Sequence, residues 1–273
     1  MQSKSNIRST LRQKRQLSFI KKVIYNFIFI LFFISLAVLG LTTKEAQIKS
    51  VVVSGNSAVA TENISKFAGT EMNVKYLWII PTDNILLLRR KEIENDILNN
   101  IKQIGSVKIY TKGIDKINIT VVERQANNLW CKGIPADSKS CYFMDSDGFI
   151  FEDAPQFSAN TFPKYFGLIL TDNPIGQYYI KNNFKNISAL FNTLKRISFP
   201  PKYFVAITEH DFEIYLSYQG KILRNDERSF ESQLVNLQAL VDNGYIKTDT
   251  NSINKIKYID LRFGNKVNFE LNK

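Results

Sequence analysis

The run Val23–Thr43, VIYNFIFILFFISLAVLGLTT, carries no charged side chain over 21 residues. As an α-helix rising about 1.5 Å per residue it would reach roughly 31 Å, the thickness of a bilayer's hydrocarbon core. One Lys or Arg at mid-span would cost about 2.5–3.5 kcal/mol, so a clean run between Lys22 and Lys44 is a specific signal. A buried soluble helix does not need so long an uncharged stretch of Phe, Ile and Leu. A cleaved signal sequence shares the order of basic segment, then apolar segment. Against it, the run exceeds the about 7–15 residues of such a segment, and Val38-Leu39-Gly40 is only a poor match to an A-x-A site. The run is read as an uncleaved anchor.

The residues before it explain most of the charge. The chain of 273 residues has a formal charge of +11, from 36 basic and 25 acidic side chains. Lys4, Arg8, Arg12, Lys14, Arg15, Lys21 and Lys22 lie in residues 1–22, with no acid among them. Removing those seven leaves 29 basic against 25 acidic residues, a net of +4, so the body does not carry the basic groove of a nucleic-acid binder. A basic flank before the helix and a mixed one after it (Lys44, Glu45, Lys49) predict a cytoplasmic N-terminus and a body outside the membrane. At 44% hydrophobic the chain as a whole has enough apolar residues for ordinary cores.

Beyond the anchor, Ile48–Val53 reads as a β-branched strand ended by Ser54-Gly55-Asn56. Thr61–Ala68 reads as a helix stopped by Gly69, and Lys91–Ile104 as a second, with Ile93, Ile97, Leu98, Ile101 and Ile104 near a 3.6 period and Gly105 at its end. Val107–Tyr110 and Ile117–Val122 alternate about Thr111-Lys112-Gly113 as a hairpin. Two amphipathic helices on one face of three strands make a small complete core.

The run from Ile48 to Arg124 resembles a POTRA module, and more narrowly that of the FtsQ/DivIB cell-division family. The opening strand with Ser54-Gly55-Asn56, the two helices, Val107-Lys108-Ile109 and the closing Ile119-Thr120-Val121-Val122-Glu123-Arg124 carry the resemblance. Val74–Arg89, with Trp78, Pro81 and Asn84, is longer than the family's usual connection.

After Arg124 the pattern is of short strands: Leu129-Trp130, Cys141–Met144 and Phe149–Phe151 around Asp145-Ser146-Asp147-Gly148, then Tyr203–Thr208, Phe212–Tyr218 and Lys221–Leu223. Asn182–Ile197 is an amphipathic helix with Phe184, Ile187, Phe191 and Leu194 inward; Asp226–Val241 is another, with Phe230, Leu234, Leu237 and Val241 inward. Lys255–Phe263 and Lys266–Leu271 form a last strand pair about Gly264-Asn265. The Trp130 strand, Phe143-Met144-Asp145 with Gly148 and Phe151, and Tyr258-Ile259-Asp260-Leu261-Arg262 resemble the β domain of FtsQ/DivIB proteins. The expected fold is α+β: a basic tail (1–22), a transmembrane helix (23–43), a β-α-α-β-β POTRA domain (46–124), and a mostly antiparallel domain (125–273) with a C-terminal edge strand.

Candidate sites are few. Cys131 and Cys141 close a short loop; outside the cytoplasm they would be free to oxidise, with two reduced thiols as the alternative. One histidine and two cysteines exclude a zinc centre made of those residues alone. Asp145-x-Asp147-Gly148 resembles a calcium loop, but Gln156 stands where an EF-hand requires Glu, so a tight turn is the cheaper reading. His210 lacks a nucleophile motif, Glu123-Arg124 reads as an ion-paired strand end, and Glu92, Glu94 and Asp96 suit a helix dipole. No phosphate loop occurs, so the chain reads as a non-enzyme without cofactor, metal, nucleic-acid or small-molecule substrate.

The resemblance implies a septal membrane scaffold whose partners are FtsB-like and FtsL-like single-pass division proteins. It places partner binding at Arg262, Phe263, Lys266, Val267, Asn268 and Phe269, where a terminal edge strand would accept a partner strand. The rivals are a membrane-tethered cell-wall hydrolase and a POTRA-type assembly or secretion adaptor.

Overall fold

The computed structural model describes residues 3–41, 43, 47–72, 75–76, 80–81, 83–136, 140–157, 161–247, 254–264 and 266–272. They form an α+β protein with one N-terminal apolar helix and mixed sheets, dividing into two compact units, Met1–Glu123 and Arg124–Lys273. Trp78, Asn265 and the flank Lys44-Glu45 lie outside the described residues.

The first helix, α1, runs Ser3–Leu41 and so begins well inside the basic tail. Its segment Leu17–Gly40 is long and apolar enough to cross a membrane, and that segment contains Lys21 and Lys22. Phe, Ile and Leu side chains are exposed around the whole of it, Phe29 and Phe32 at 62% each. An apolar surface of that extent is unfavourable in water and favourable in lipid.

Unit 1 continues with β1 (Ser50–Ser54), α2 (Thr61–Met72), the short β2 (Lys75–Tyr76) and β3 (Ile80–Pro81), α3 (Arg90–Asn100), β4 (Ile104–Lys112) and β5 (Lys116–Glu123). β5 lies centrally, antiparallel to β4 and parallel to β1. Period-2 alternation sends Ile117, Ile119 and Val121 inward to meet Ile64 and Ala68 of α2 and Ile93 and Ile97 of α3. Gly55 takes a φ of 87°, and a Cβ there would run into the Val121 carbonyl, so the β1 exit requires glycine.

Two expected stops are corrected. Gly69 does not end α2: Met72 packs on the core beside Ile64 and Ala68, and that i, i+4, i+8 stripe outweighs the about 1 kcal/mol cost of a helical glycine. Gly105 does not end α3, which is capped at Ile101, where the backbone N–H reaches Ile97 O. Ile104 already belongs to β4, and Gly105 sits at the register shift between Ile104 and Ser106, where a bulge accommodates glycine. Val74–Arg89 holds the β2–β3 ribbon, and its Asn84 is fully buried, bridging to Gln47.

Unit 2 comprises β6 (Asn128–Cys131), β7 (Cys141–Met144), β8 (Ile150–Ala154), β9 (Lys164–Phe166), α4 (Phe184–Arg196), β10 (Pro201–Ala206), β11 (Asp211–Leu216), β12 (Lys221–Asn225), α5 (Phe230–Asp242), β13 (Ile256–Asp260) and β14 (Asn268–Leu271). Among the described residues these strands form one nine-stranded sheet in the order β14-β13-β12-β11-β10-β9-β6-β7-β8. It is mixed, with five antiparallel and three parallel pairings. The parallel neighbours arise because β9 inserts between β6 and β10, and because α5 returns the chain to lay β13 beside β12.

The large core lies between the helices and the sheet: Phe184, Ile187, Leu190 and Leu194 of α4 and Leu237 and Leu240 of α5 meet Trp130, Tyr165, Phe204, Phe212, Ile222 and Ile259. The inward stripes are shifted from expectation. Leu190 is buried where Phe191 is only half-buried, and Gln233 and Leu240 are deeper than Phe230, Leu234 and Val241. A smaller cluster of Leu129, Cys131 and Phe166 lies apart from this core, packed by Phe143, Phe157, Phe162 and Tyr203.

Candidate functional site

The two sheet edges of unit 2 differ. At the β8 end, Ile150 N–H donates to Gln177 O (2.9 Å) and Ile150 O accepts from Gly176 N–H (2.8 Å), so the turn at Gly176-Gln177 covers the start of that strand. Farther along β8 stand Glu152 and Asp153, charges that discourage edge pairing. β14 forms the opposite end of the sheet, with β13 as its one neighbour among the described strands.

Backbone parity fixes what β14 presents. Leu261 N–H donates to Leu223 O, so the odd residues of β13 point their backbone groups at β12. The even ones, Tyr258 and Asp260, therefore face β14 and meet Glu270 and Asn268. Phe269, paired across from Ile259, turns its N–H and C=O away from the sheet. Its side chain packs half-buried on the core, with Tyr245 6.4 Å away between ring centroids. Thus the outward backbone belongs to a residue held firmly by its ring.

Of the other expected binding residues, Asn268 lies in β14, while Arg262, Phe263, Lys266 and Val267 form the connection before it. Asp260 accepts from Arg262 Nε at 2.9 Å and from its terminal nitrogen at 2.7 Å, and from its backbone N–H at 3.1 Å. Hydrogen bonding to Asp260, opposed by partial burial, raises the guanidinium pKa. Phe263 is 53% exposed, Val267 packs on the core, and Lys266 N–H closes the turn on Phe263 O at 2.9 Å. Of the six residues only Asn268 and Phe269 belong to the strand; the other four lie in the connection that precedes it.

Glu123 and Arg124 are not ion-paired with each other. The Glu123 carboxylate accepts from the backbone N–H groups of Ser57 (2.7 Å), Val59 (2.9 Å) and Ala58 (3.0 Å), tying the end of β5 to the loop before α2. Burial works to raise its pKa, and the donations from Ala58, Val59 and Ser57 together outweigh it, so the carboxyl stays ionised below its ordinary 4.5. A depressed folded-state pKa gives stability that is present above pH 4.5 and lost as pH falls through the lower folded value. Thermal unfolding of the wild type should show a loss of unit 1 stability across that window. Glu123→Gln should flatten this dependence and lower stability at neutral pH; an unchanged acid limb would refute the assignment.

Arg124 instead pairs with Asp145, whose carboxylate also accepts from Asp147 N–H (2.8 Å) and Phe149 N–H (2.9 Å). The guanidinium carbon lies 4.0 Å from the Phe149 ring centroid. Asp145 thus organises a turn, with Gly148 at a φ of 82° completing it. Among the described residues no group of three His, Cys, Asp or Glu side chains is placed to hold a metal.

Cys131 and Cys141 form a disulfide across the paired ends of β6 and β7. A loop of this length would contribute about 2.8 kcal/mol in the chain-entropy account. His210 Nδ1 lies 2.9 Å from Asp226 Oδ1 at the side of a cavity of ≈ 400 Å³ that Tyr178, Ile180, Lys181 and Glu209 also line. No serine, threonine or cysteine stands among the described residues lining it.

Two polar residues escaped the sequence reading and a third, Glu94, has another role than the one expected. Arg224 and Gln233 are buried between β12 and α5, where Arg224 donates to Asn225 O and Gln233 Nε2 to the same oxygen at 3.0 Å. Period 2 from Ile222 would have placed Arg224 inward. Glu94 leaves the helix-dipole role to Glu92 and accepts from Ile109 N–H at 3.1 Å, capping the β4 edge, a contact across 15 residues that no local pattern announces. No protein-family model matches this chain, and no curated protein matches it.

Proposed function

We propose that this protein is a single-pass membrane scaffold of the FtsQ/DivIB type, which binds other division proteins at the septum and carries out no chemistry itself. In this reading α1 crosses the cell membrane with residues 1–22 in the cytoplasm. Residues 46–124 act as a POTRA module, and residues 125–273 as the β domain that adds a partner strand. The observation that carries it is strand β14 at the end of the sheet, with β13 its one neighbour among the described strands and the Phe269 backbone facing away from β13. Main-chain donors and acceptors on such an edge supply affinity to an extended peptide, and flanking side chains supply choice.

The partners are FtsB-like and FtsL-like single-pass proteins, through which the scaffold would reach septal peptidoglycan synthesis. Anchoring both sides of the pair in one membrane raises their effective concentration, so a modest edge interaction suffices. The order strand, helix, helix, strand, strand of unit 1 supports the POTRA assignment, with the β2–β3 ribbon as an insertion between its helices. The test is localisation of the full chain fused to an export-compatible fluorophore in dividing cells. Rings at the septum are expected, and an even membrane signal through the division cycle would overturn the scaffold reading.

A further inference from the structure

The hairpin tip of unit 1 has a composition unlike its sheet. Lys112-Gly113-Ile114-Asp115-Lys116 puts a 65% exposed isoleucine between two exposed lysines. Lys112 and Lys116 are directly opposed across β4 and β5, a like-charge pairing that costs stability in water. Neither forms an ion pair with a described residue, and Lys49, exposed beside them, forms none either. Asp115, in the turn, spends its backbone oxygen on Lys49 N–H (2.7 Å) and Ser50 N–H (3.2 Å). The tip is therefore fastened to the first residue of β1, and Ser50 pairs directly with Lys116.

That fastening decides where the tip can be. α1 ends at Leu41 and β1 begins at Ser50, so the intervening chain reaches at most roughly 30 Å at about 3.3–3.6 Å per residue. Ser50 stays within that radius of the helix end whatever path the connection takes, and the tip begins at its pairing partner Lys116. If α1 spans a bilayer, the three lysines and Ile114 lie at the end of the sheet that the chain itself ties to the membrane surface.

We propose that the β4–β5 tip is a second membrane contact, in which Lys49, Lys112 and Lys116 bind the headgroups of acidic phospholipids and Ile114 enters the interface. The proposal rests on the membrane-spanning reading of α1. Acidic lipid supplies ion-pair partners that Lys112 and Lys116 lack among the described residues, where Asp115 is the one carboxylate in the turn against three lysines, and an apolar tip flanked by lysines matches an interface that is apolar below and anionic above. Contact would restrict the rotation of unit 1 about its tether.

The test uses the full chain with Ile114→Cys carrying an environment-sensitive fluorophore; the native cysteines are joined to each other, so the new thiol is single. The protein is reconstituted in phosphatidylcholine vesicles with and without phosphatidylglycerol, and quenching by spin-labelled lipid is read. Quenching is expected with phosphatidylglycerol and should fade in high salt, where the screening length falls from about 10 Å at 0.1 M to about 3 Å at 1 M. Lys112→Gln and Lys116→Gln should each lower the ratio of docked to undocked tip about fivefold. A control label at Leu31→Cys separates the premises. Quenching at position 31 but not at 114, or equal quenching at 114 in both vesicle types, overturns the acidic-lipid contact alone. No quenching at 31 overturns the spanning helix, and the proposal with it.

Discussion

Phe269→Pro should weaken binding of the FtsB-like partner roughly 10- to 2000-fold while unit 2 remains folded. The proline removes an N–H that points away from β13, so the β13–β14 ladder keeps its own bonds through Asn268 and Glu270. For an added strand the loss is larger than one bond. The bond itself is worth about 0.5–1.5 kcal/mol net, and the partner's carbonyl left buried without a donor costs about 1–3 kcal/mol more. Their sum, about 1.5–4.5 kcal/mol, sets the stated range.

Two companion substitutions separate backbone from side chain. Phe269→Leu keeps the N–H and most of the apolar contact with the core, and should change affinity by no more than a few fold. Glu270→Pro strikes the inward-facing position, and should unpair β14 and lower stability as well as binding. Calorimetry with the partner's exported segment, alongside circular dichroism of each variant, reads both effects. Equal affinity for Phe269→Pro and wild type would remove strand addition at β14 from the proposal.

What was legible in the sequence was whatever repeats locally. Ile117, Ile119 and Val121 announce a strand and its inward face, and the Ile-rich turns of α3 announce a helix. Glycines misled because their local propensity was overridden: Met72 draws α2 past Gly69, and the bulge at Gly105 belongs to a pairing with Glu123 that lies 18 positions on. The same limit applies to the candidate site. The terminal hairpin could be read from its alternation, but its place at a sheet end depends on α5 returning the chain to lay β13 parallel beside β12, a crossover with no local signature. Glu123 and Arg124 show the point at two adjacent residues. Side by side they resemble an ion pair, yet one reaches back to Ser57 and the other forward to Asp145.

That forward contact carries the largest stability effect expected in unit 2. Asp145→Ala should cost about 3–5 kcal/mol, the range for breaking a buried ion pair by removing one member. The Arg124 and Asp145 side chains are only 17% and 9% exposed, so Arg124 would be left charged with little water to replace its partner. The same deletion orphans the N–H groups of Asp147 and Phe149, which define the turn into β8. Against a typical domain stability of about 5–15 kcal/mol, this consumes a large share of the total. Asp145→Asn retains an acceptor for the turn and should cost distinctly less. Arg124→Met combined with Asp145→Ala removes the stranded charge, so the double variant should be more stable than the sum of the two single losses implies. Urea unfolding of the full chain in detergent, followed by the fluorescence of buried Trp130, measures the cycle. Simple additivity would show that the pair is not energetically coupled, and that Asp145 serves the turn alone.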